Sequence, residues 1–276
     1  MNFTDANLDE ITLVAFDTET TGAYPLGFEV VEFGAVKWHK GQIVDQLQLL
    51  IKPTKPMSKE VIAIHNITDE MVSDAPPLAE VIGKIRDFMG DGIPLAHHAP
   101  FDMGFMTVCF ETFNLSAPPD PVLCSSLLAR RLIPESANHK LRTLVAYLKI
   151  DGGQAHRALD DAKACLQVGL ECWRRVGAEK TLTEVTAAQG KNLLWRDYAL
   201  LKNPNPLVRS ISEAIFETKH LDIVYDGGSL KGRPRRVTPV GIVRNPDGDY
   251  LSAICHIDRA QKRFYLAKVK DFTIVY

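Results

Sequence analysis

Two carboxylates one residue apart, Asp17 and Glu19, follow the apolar run from Ile11 to Phe16. We expect that run to form a strand, and side chains two residues apart on a strand point the same way, so both carboxylates can converge on one cation. Carboxylates at the edge of a buried sheet are costly unless they are compensated, and a hard divalent ion with oxygen ligands compensates them. The alternative is a polar turn, because Asp, Thr and Gly are ordinary turn residues.

A metal site of this kind needs carboxylates from distant segments, and residues 95–102 supply one of them. Their sequence, LAHHAPFD, predicts a short strand, a Pro-containing turn and the start of a helix that runs through Phe113. Asp102 then lies near the N-terminus of that helix. His97 and His98 come just before it, and each is either a hydrogen-bonded histidine at the strand end or a catalytic group.

Residues 156–162, with the sequence HRALDDA, supply another candidate and open a helix that we expect to reach about Arg175. Asp161 shares a helical stripe with apolar positions, whereas Asp160 shares one with polar positions, so Asp161 faces inward and Asp160 faces water. His156 lies roughly 140° from Asp161 around an ideal helix, so the two converge only if His156 belongs to the preceding loop. A helix-capping histidine is the alternative for His156.

The motifs FDTETTG (residues 16–22), HHAPFD (residues 97–102) and HRALDDA (residues 156–162) together resemble the three motifs of the DEDDh (DnaQ-like, polymerase III epsilon-like) 3′→5′ exonucleases. The resemblance covers about residues 8–176. It implies an α/β fold with a ribonuclease H-like, mixed five-stranded sheet flanked by helices. One departure is His98, where the family usually has Asn, and Cys124 replaces the Asp of many relatives.

The resemblance also implies the chemistry of the site. Two Mg²⁺ or Mn²⁺ ions orient and activate a water and stabilise the departing 3′-oxygen in such enzymes. By motif position, Asp17 would bridge both ions, Glu19 and Asp161 would be further ligands, and Asp102 would bind directly or through water. His156 would be the general base, a role that suits an imidazole near neutral pH.

Substrate contacts follow from the same resemblance. Thr20 and Thr21 would present amides or hydroxyls to the 3′-terminal nucleotide, Phe101 would pack beside it, and His65 would stack against a terminal base. The expected substrates are the 3′ ends of single-stranded DNA or RNA. Deoxyribose and ribose are not distinguished by the sequence, because that choice depends on the shape of the site around the 2′ position.

Composition sets the broad class of protein. The chain has 276 residues, of which 46% are hydrophobic, and this suits two domains with separate cores. Residues 1–10 are polar and acidic without an apolar signal segment, and no membrane segment is predicted. The five cysteines lack C-x-x-C spacing, so we expect them to be reduced core residues in the cytoplasm. The net charge of −2 does not by itself indicate a nucleic-acid-binding protein.

A shift in charge marks a second domain. Residues 206–276 contain 12 Lys plus Arg and 8 Asp plus Glu, a net charge of +4, which leaves −6 for residues 1–205. We predict an exonuclease domain at 1–176, a helical linker at 177–205 and a β-barrel domain at 206–276. The linker would carry helices at Leu182–Ala188 and Leu193–Leu201, and the barrel a helix at Leu207–Thr218 followed by five short strands.

The segments RVTP (residues 236–239), YLSA (residues 250–253) and RFYL (residues 263–266) resemble the WYL domains, which are small Sm/SH3-like β-barrels. Basic side chains of that family bind nucleic acid or nucleotide ligands, which implicates Arg236, Arg263 and Lys268 here. Alternation along the strand predicts that Phe264 and Leu266 point inward while Arg263 points outward. A solvated basic loop at residues 231–236 is the alternative.

Three functions are compatible with these features. The first is a metal-dependent 3′→5′ exonuclease with a C-terminal nucleic-acid or nucleotide-binding module, active in repair, RNA processing or defence. The second is a regulatory nucleic-acid-binding protein with a non-catalytic exonuclease fold. The third is a nuclease specific for short oligonucleotides, whose C-terminal domain serves dimer formation or ligand control. The sequence itself sets no oligomeric state.

Overall fold

The computed structural model describes residues 5–228 and 230–275, and these form two compact units. The first unit contains the described chain up to Thr21 together with Val30–Asp102 and Leu115–Trp195. The second unit contains Gly22–Glu29, Met103–Asn114 and the described chain from Arg196 onward.

A mixed five-stranded sheet forms the centre of the first unit. Its strands are β1 (Thr12–Thr20), β2 (Val30–His39), β3 (Gln42–Leu50), β4 (Ile93–Ala96) and β5 (Leu123–Cys124). The strand order is β3-β2-β1-β4-β5; β1, β2 and β3 pair antiparallel, and β4 and β5 are parallel to β1. This arrangement confirms the expected mixed sheet.

The described residues form helices in both units. They are α1 (Lys59–His65), α2 (Leu78–Met89), α3 (Pro100–Thr112), α4 (Ser125–Leu132), α5 (Leu141–Leu148), α6 (Ala158–Val176), α7 (Leu182–Gln189) and α8 (Pro206–Phe216). In α6 the buried side chains recur at helical spacing and pack in the main core with strands β1, β2 and β4. Helix α6 therefore covers the face of the sheet on which the site is built.

One local prediction agrees with the structure and one is wrong. Strand β1 continues past the apolar run to Thr20, because its pairing with β2 extends through Asp17 and Glu19. Both acids therefore lie inside a strand. The predicted helix at Leu193–Leu201 is only a short 3₁₀ helix at Trp195–Tyr198. Trp195 is buried there and stacks on Phe16, so tertiary packing overrides the local helical pattern.

An antiparallel five-stranded sheet forms most of the second unit. Its strands are β6 (His220–Tyr225), β7 (Pro234–Val243), β8 (Tyr250–Cys255), β9 (Ala260–Tyr265) and β10 (Val269–Val275). The order is β10-β6-β7-β8-β9, so β9 and β10 are the two edges and no pairing closes a barrel among the described residues. A closed barrel was expected; an open sheet is observed. Phe264 is buried, as predicted, whereas Leu266 lies beyond the strand in a short 3₁₀ helix and is partly buried.

The core of the second unit also contains side chains from segments early in the chain. Leu26 is fully buried in it and Val108 packs against it. The Tyr24 hydroxyl donates to Ser252 Oγ at 3.0 Å, and the Glu111 carboxylate accepts hydrogen bonds from the backbone N–H groups of residues 200–202. The loop that follows β1 and the part of α3 from Met103 onward thus belong to the same unit as the C-terminal sheet.

Candidate active site

Strand β1 places Asp17 and Glu19 on one face of the sheet. Across the antiparallel pair, Asp17 lies opposite Gly34 and Glu19 lies opposite Glu32. Directly opposed residues share a face, so three carboxyl side chains point to the same side. Burial, followed by the charge of Asp102, raises the pKa of Asp17 well above its ordinary value, and burial, followed by Asp161, raises that of Glu19 to about 8.

Asp102 comes from the first turn of α3 and is 2% exposed. Its Oδ1 atom accepts hydrogen bonds from the Thr18 backbone N–H at 3.0 Å and from the Thr18 hydroxyl at 2.7 Å. Burial raises the pKa of Asp102 to about 7, although the two bonds from Thr18 act in the opposite direction. Thr18 therefore orients one oxygen of Asp102. The sequence analysis did not single out Thr18, and the only signal was its position between the two acids.

The third motif contributes His156 and Asp161. His156 precedes α6 on a loop, as predicted, with a φ of +60°. Its backbone N–H donates to Asp161 Oδ2 at 2.9 Å, whereas the Asp160 carboxylate accepts from the Gln154 backbone N–H at 2.8 Å. Asp161 and His156 thus approach each other while Asp160 turns to the loop.

These groups line one cavity of about 240 Å³. The described residues that line it are Asp17, Thr18, Glu19, His97, His98, Phe101, Asp102, Leu141, His156 and Asp161. Ligand atoms of Glu19, His156 and Asp161 lie within 4.8 Å of one another. The structure therefore brings together all five residues that the sequence analysis selected for chemistry. Their catalytic roles stay predictions.

The donor set of this cavity fits a hard divalent cation. Its four carboxyl groups all have raised pKa values, with burial as the largest cause in each case. Carboxylates gathered in this way repel one another, and a bound cation removes both the repulsion and the cost of desolvation. Oxygen ligands are those preferred by Mg²⁺ and Mn²⁺. Asp17, Glu19, Asp102 and Asp161 would hold the ions.

The two neighbouring histidines have different environments. His97 hydrogen-bonds Ser125 Oγ through Nδ1 at 2.8 Å and the His139 carbonyl through Nε2 at 3.1 Å. Burial lowers the pKa of His97 to about 4, so the ring is neutral and acts as a structural link. His98 is exposed, lines the cavity and has a φ of +62°. His is among the residues that are enriched in this left-handed conformation.

The predicted substrate-binding residues of the first unit have different exposures. Phe101 lines the cavity and Thr21 is partly exposed, whereas Thr20 is buried at the end of β1. His65 is only 2% exposed, and its Nδ1 accepts the Ile67 backbone N–H at 3.0 Å. Stacking of His65 on a base therefore stays a prediction that requires the ring to become exposed.

Four charged residues near the cavity were missed by the sequence analysis. Glu32 and Arg157 form a salt bridge, with Nη2 and Oε1 2.7 Å apart. Arg130 contributes to the lowered pKa values of His97 and His98, and Arg142 acts to lower the pKa of Asp161. A lone Glu inside the apolar strand VVEFGAV was the available signal for Glu32. The arginines gave no signal, because their proximity depends on the tertiary fold.

In the second unit, the predicted basic residues are not equivalent. Arg236 is paired with Asp222 through two hydrogen bonds of 2.9 Å, whereas Arg263 is exposed and lies 5.0 Å from the centre of the Tyr250 ring. Arg235, which the sequence analysis did not select, is 4% exposed. Its Nε and Nη2 atoms have no hydrogen-bond partner among the residues that the structure describes.

Known protein families match two separate parts of the chain. Residues 14–168 match the exonuclease family RNase_T, and residues 206–274 match the WYL domain. Among curated relatives, DNA polymerase III PolC-type of Oceanobacillus iheyensis is 41% identical over 175 residues, and that of Bacillus subtilis is 39% identical over 158 residues. The matches cover 63% and 57% of this chain but only 12% and 11% of those relatives.

Solved structures give the same result for the fold. Exonuclease X in complex with 5′ overhanging duplex DNA is 30% identical, with a TM-score of 0.50, and the match covers 64% of this chain and 99% of that one. The nuclease domain of 3′hExo, a DEDDh family member bound to rAMP, has a TM-score of 0.53 at 22% identity, over 63% of this chain and 96% of that one.

The five cysteines are free and buried, as predicted. In the described residues, every helix is too short or too polar to span a lipid bilayer. The family match covers more than half of the chain and includes all three motifs. This protein therefore belongs to the exonuclease family, with the DEDDh (DnaQ-like) motifs in its first unit and a WYL domain at residues 206–274.

Proposed function

We propose that this protein is a metal-dependent 3′→5′ exonuclease that releases nucleoside monophosphates from the 3′ ends of single-stranded DNA or RNA. The observation that carries the proposal is the cavity in which Asp17, Glu19, Asp102, Asp161 and His156 converge. Such a cluster of desolvated carboxyl groups destabilises the fold, so a functional role explains why the chain retains it.

The residues of the cavity would have different roles in the reaction. Divalent ions, when bound, supply activation of the attacking water and stabilisation of the departing 3′-oxygen. Asp17, Glu19 and Asp161 supply carboxylate oxygens, and Thr18 keeps Asp102 oriented toward the same space. His156 would take the proton of the attacking water, since its loop position places it beside Asp161.

Positive charge near the cavity supports binding of a nucleic-acid strand. Arg130 and Arg142 are both exposed and act electrostatically on His98 and Asp161 respectively. Contacts from exposed arginines to phosphates add affinity without sequence preference. We infer that these two side chains contact phosphates of the bound strand.

The WYL domain would supply a second nucleic-acid or nucleotide contact. Arg263 and the rings of Tyr250 and Tyr265 lie on adjacent strands β8 and β9, and stacking on aromatic rings beside a cation is a common way to hold single strands. Residues 206–276 would then strengthen the hold on longer substrates. The cytoplasm is the proposed compartment, because all five cysteines are free.

The direct test compares the two neighbouring acids of the third motif. The full chain is incubated with Mg²⁺ or Mn²⁺ and with 20-mers and 3-mers of DNA and RNA, labelled at the 5′ end. Successive shortening from the 3′ end is expected for the wild type and for Asp160→Asn, and none for Asp161→Asn. A wild type that binds the strands but shortens none is a non-catalytic binding protein, and cleavage restricted to 3-mers indicates a nuclease for short oligonucleotides.

A further inference from the structure

Glu32 is a fully buried carboxylate that belongs to none of the three motifs. It lies on β2 directly opposite Glu19, on the face of the sheet that α6 covers. A buried carboxylate without hydrogen-bond partners costs several kcal/mol of folding free energy. The partners of Glu32 therefore indicate which contact in the fold it stabilises.

Both oxygens of Glu32 are fully used, and most of its partners come from the start of α6. Arg157 Nη2 donates to Oε1 at 2.7 Å, and Arg157 Nε lies 3.2 Å from both oxygens. The Ala158 backbone N–H donates to Oε2 at 2.9 Å, and Gln48 Nε2 donates to Oε1 at 2.7 Å. Arg157 is the N-cap residue of α6 and its own side chain makes no capping bond. Glu32, on strand β2, therefore caps the N-terminus of α6. Its negative charge also interacts favourably with the dipole at that helix end.

Gly34 fixes the same helix end by close contact. A Cβ atom at this position would lie 2.1 Å from the Leu159 backbone N and 2.2 Å from the Ala158 carbonyl carbon. Glu32 and Gly34 are two residues apart on β2 and share a face. The first turn of α6 thus packs directly against Gly34 and is hydrogen-bonded to Glu32.

Because His156 directly precedes Arg157 and Asp161 lies in the first turn of α6, the position of this helix end fixes both residues. We propose that Glu32 and Arg157 form a positioning pair that holds Asp161 against Glu19, so that both carboxylates can bind a divalent cation, and that holds His156 beside them as the general base. The inference deepens the proposed exonuclease function and rests on it. A purely electrostatic role is the competing explanation, since Glu32 adds a negative charge beside the cavity and Arg157 a positive one.

Binding of Mn²⁺ to the full chain, without nucleic acid, separates the two explanations. Glu32→Gln removes a negative charge and Arg157→Met removes a positive one, so an electrostatic role predicts weaker binding for the first variant and tighter binding for the second. A positioning role predicts weaker binding for both, by about tenfold, as for other residues that orient metal ligands. Isothermal titration calorimetry measures the dissociation constants, and thermal unfolding checks that each variant is folded.

Glu171→Gln is the matched control, because Glu171 forms ion pairs with Arg174 and Arg175 toward the other end of the same helix. Its Mn²⁺ affinity is expected to equal that of the wild type. Tighter binding by Arg157→Met, or an affinity within twofold of the wild type, overturns the inference. Arg157 is partly exposed, so this variant remains informative if Glu32→Gln does not fold.

Turnover then distinguishes failure of the inference from failure of the proposed function. On a single-stranded 20-mer, both variants are expected to lower kcat about tenfold with little change in KM. In a protein that already carries His156→Ala, Arg157→Met should lower kcat by a smaller factor, because part of its effect acts through His156. If the wild type degrades the 20-mer but the double variant loses kcat by the product of the Arg157→Met and His156→Ala factors, only the positioning pair is overturned. An inactive wild type overturns the proposed function.

Discussion

The acids that line the cavity of the first unit and two aspartates of the second unit have pKa values shifted in opposite directions. In the cavity of the first unit, burial raises the pKa of Glu19 to about 8 and that of Asp102 to about 7. On the sheet of the second unit, Asp222 and Asp226 are exposed or partly exposed and have lowered pKa values, because Arg236 and Lys231 donate hydrogen bonds to them.

The difference shows where charge is compensated within the chain and where it is not. Arg236 and Asp222 pair with each other and leave little charge for a ligand, and an exposed pair of this kind contributes little to the stability of the fold. In the cavity, Arg142 acts on Asp161 and Arg157 on Glu19, but neither outweighs the burial that raises the pKa of these acids. Such a cluster is costly without a ligand and therefore indicates a binding site.

The largest expected effect tests whether the uncompensated acids are functional. Asp161→Asn removes one of the carboxylates that line the cavity, and we expect it to lower kcat on single-stranded DNA on the order of 10³-fold. Asp160→Asn alters the adjacent acid, which accepts a bond from the loop instead, and should remain within about threefold of the wild type. Steady-state kinetics with Mg²⁺ measures both. Equal losses of kcat for the two variants would show that the substitutions act by disturbing the N-terminus of α6 and not by removing a carboxylate from the cavity.

A smaller loss is expected when only the orientation of one carboxylate changes. Thr18→Val removes the hydroxyl that donates to Asp102 at 2.7 Å but keeps the backbone bond, so kcat should fall by about 10-fold to 100-fold. Thr107→Val is the control, because Thr107 is also buried and its hydroxyl has no hydrogen-bond partner among the described residues. If Thr107→Val reduces kcat as strongly as Thr18→Val, loss of a buried hydroxyl and not orientation of Asp102 explains the result.

These residues also show what the sequence can predict. The helix predicted at Leu182–Ala188 is observed at Leu182–Gln189, where local signals act: Thr181 and Glu184 form a capping box at its start and Gly190 follows its end. The five residues of the three motifs are also found together. Thr18 and Glu32 were missed because their roles depend on partners 84 and 125 residues away in the chain. Local pattern carries no information about such contacts, and for the same reason it did not predict that Leu26 belongs to the core of the second unit.

Stability of the metal-free protein should reveal the cost of the uncompensated charge. The pKa of Glu19 is about 8 in the folded state against an ordinary value of 4.5, so the unfolded chain releases this proton first as the pH rises. Stability is therefore lost between about pH 4.5 and pH 8. Glu19→Gln should raise the Tm at pH 8 by about 5 °C, and the gain should shrink as the pH falls toward 4.5.

Differential scanning calorimetry with a chelator measures this effect, and addition of Mn²⁺ should reverse the order of the two proteins, because only the wild type keeps the full set of ligands. Asp222→Asn is the control from the other unit. Its carboxylate has a lowered pKa, so the substitution should lower the Tm slightly at pH 8 or leave it unchanged. A Glu19→Gln variant that is less stable than the metal-free wild type at pH 8 would contradict the view that the cavity is electrostatically strained.

The smallest effect concerns two arginines of the second unit, Arg263 and Arg236. Arg263 is exposed, its guanidinium lies over the Tyr250 ring and it forms no salt bridge among the described residues, so its charge is available to a phosphate, whereas the charge of Arg236 is used by Asp222. Arg263→Ala should weaken binding of a single-stranded 20-mer by about threefold and reduce the slope of log affinity against log salt concentration by about one. Arg236→Ala should change the affinity by less than about twofold. Fluorescence anisotropy at several salt concentrations measures both. If Arg236→Ala has the larger effect, the Asp222 pair opens on binding, and pairing in the free protein is then no guide to which cations bind nucleic acid.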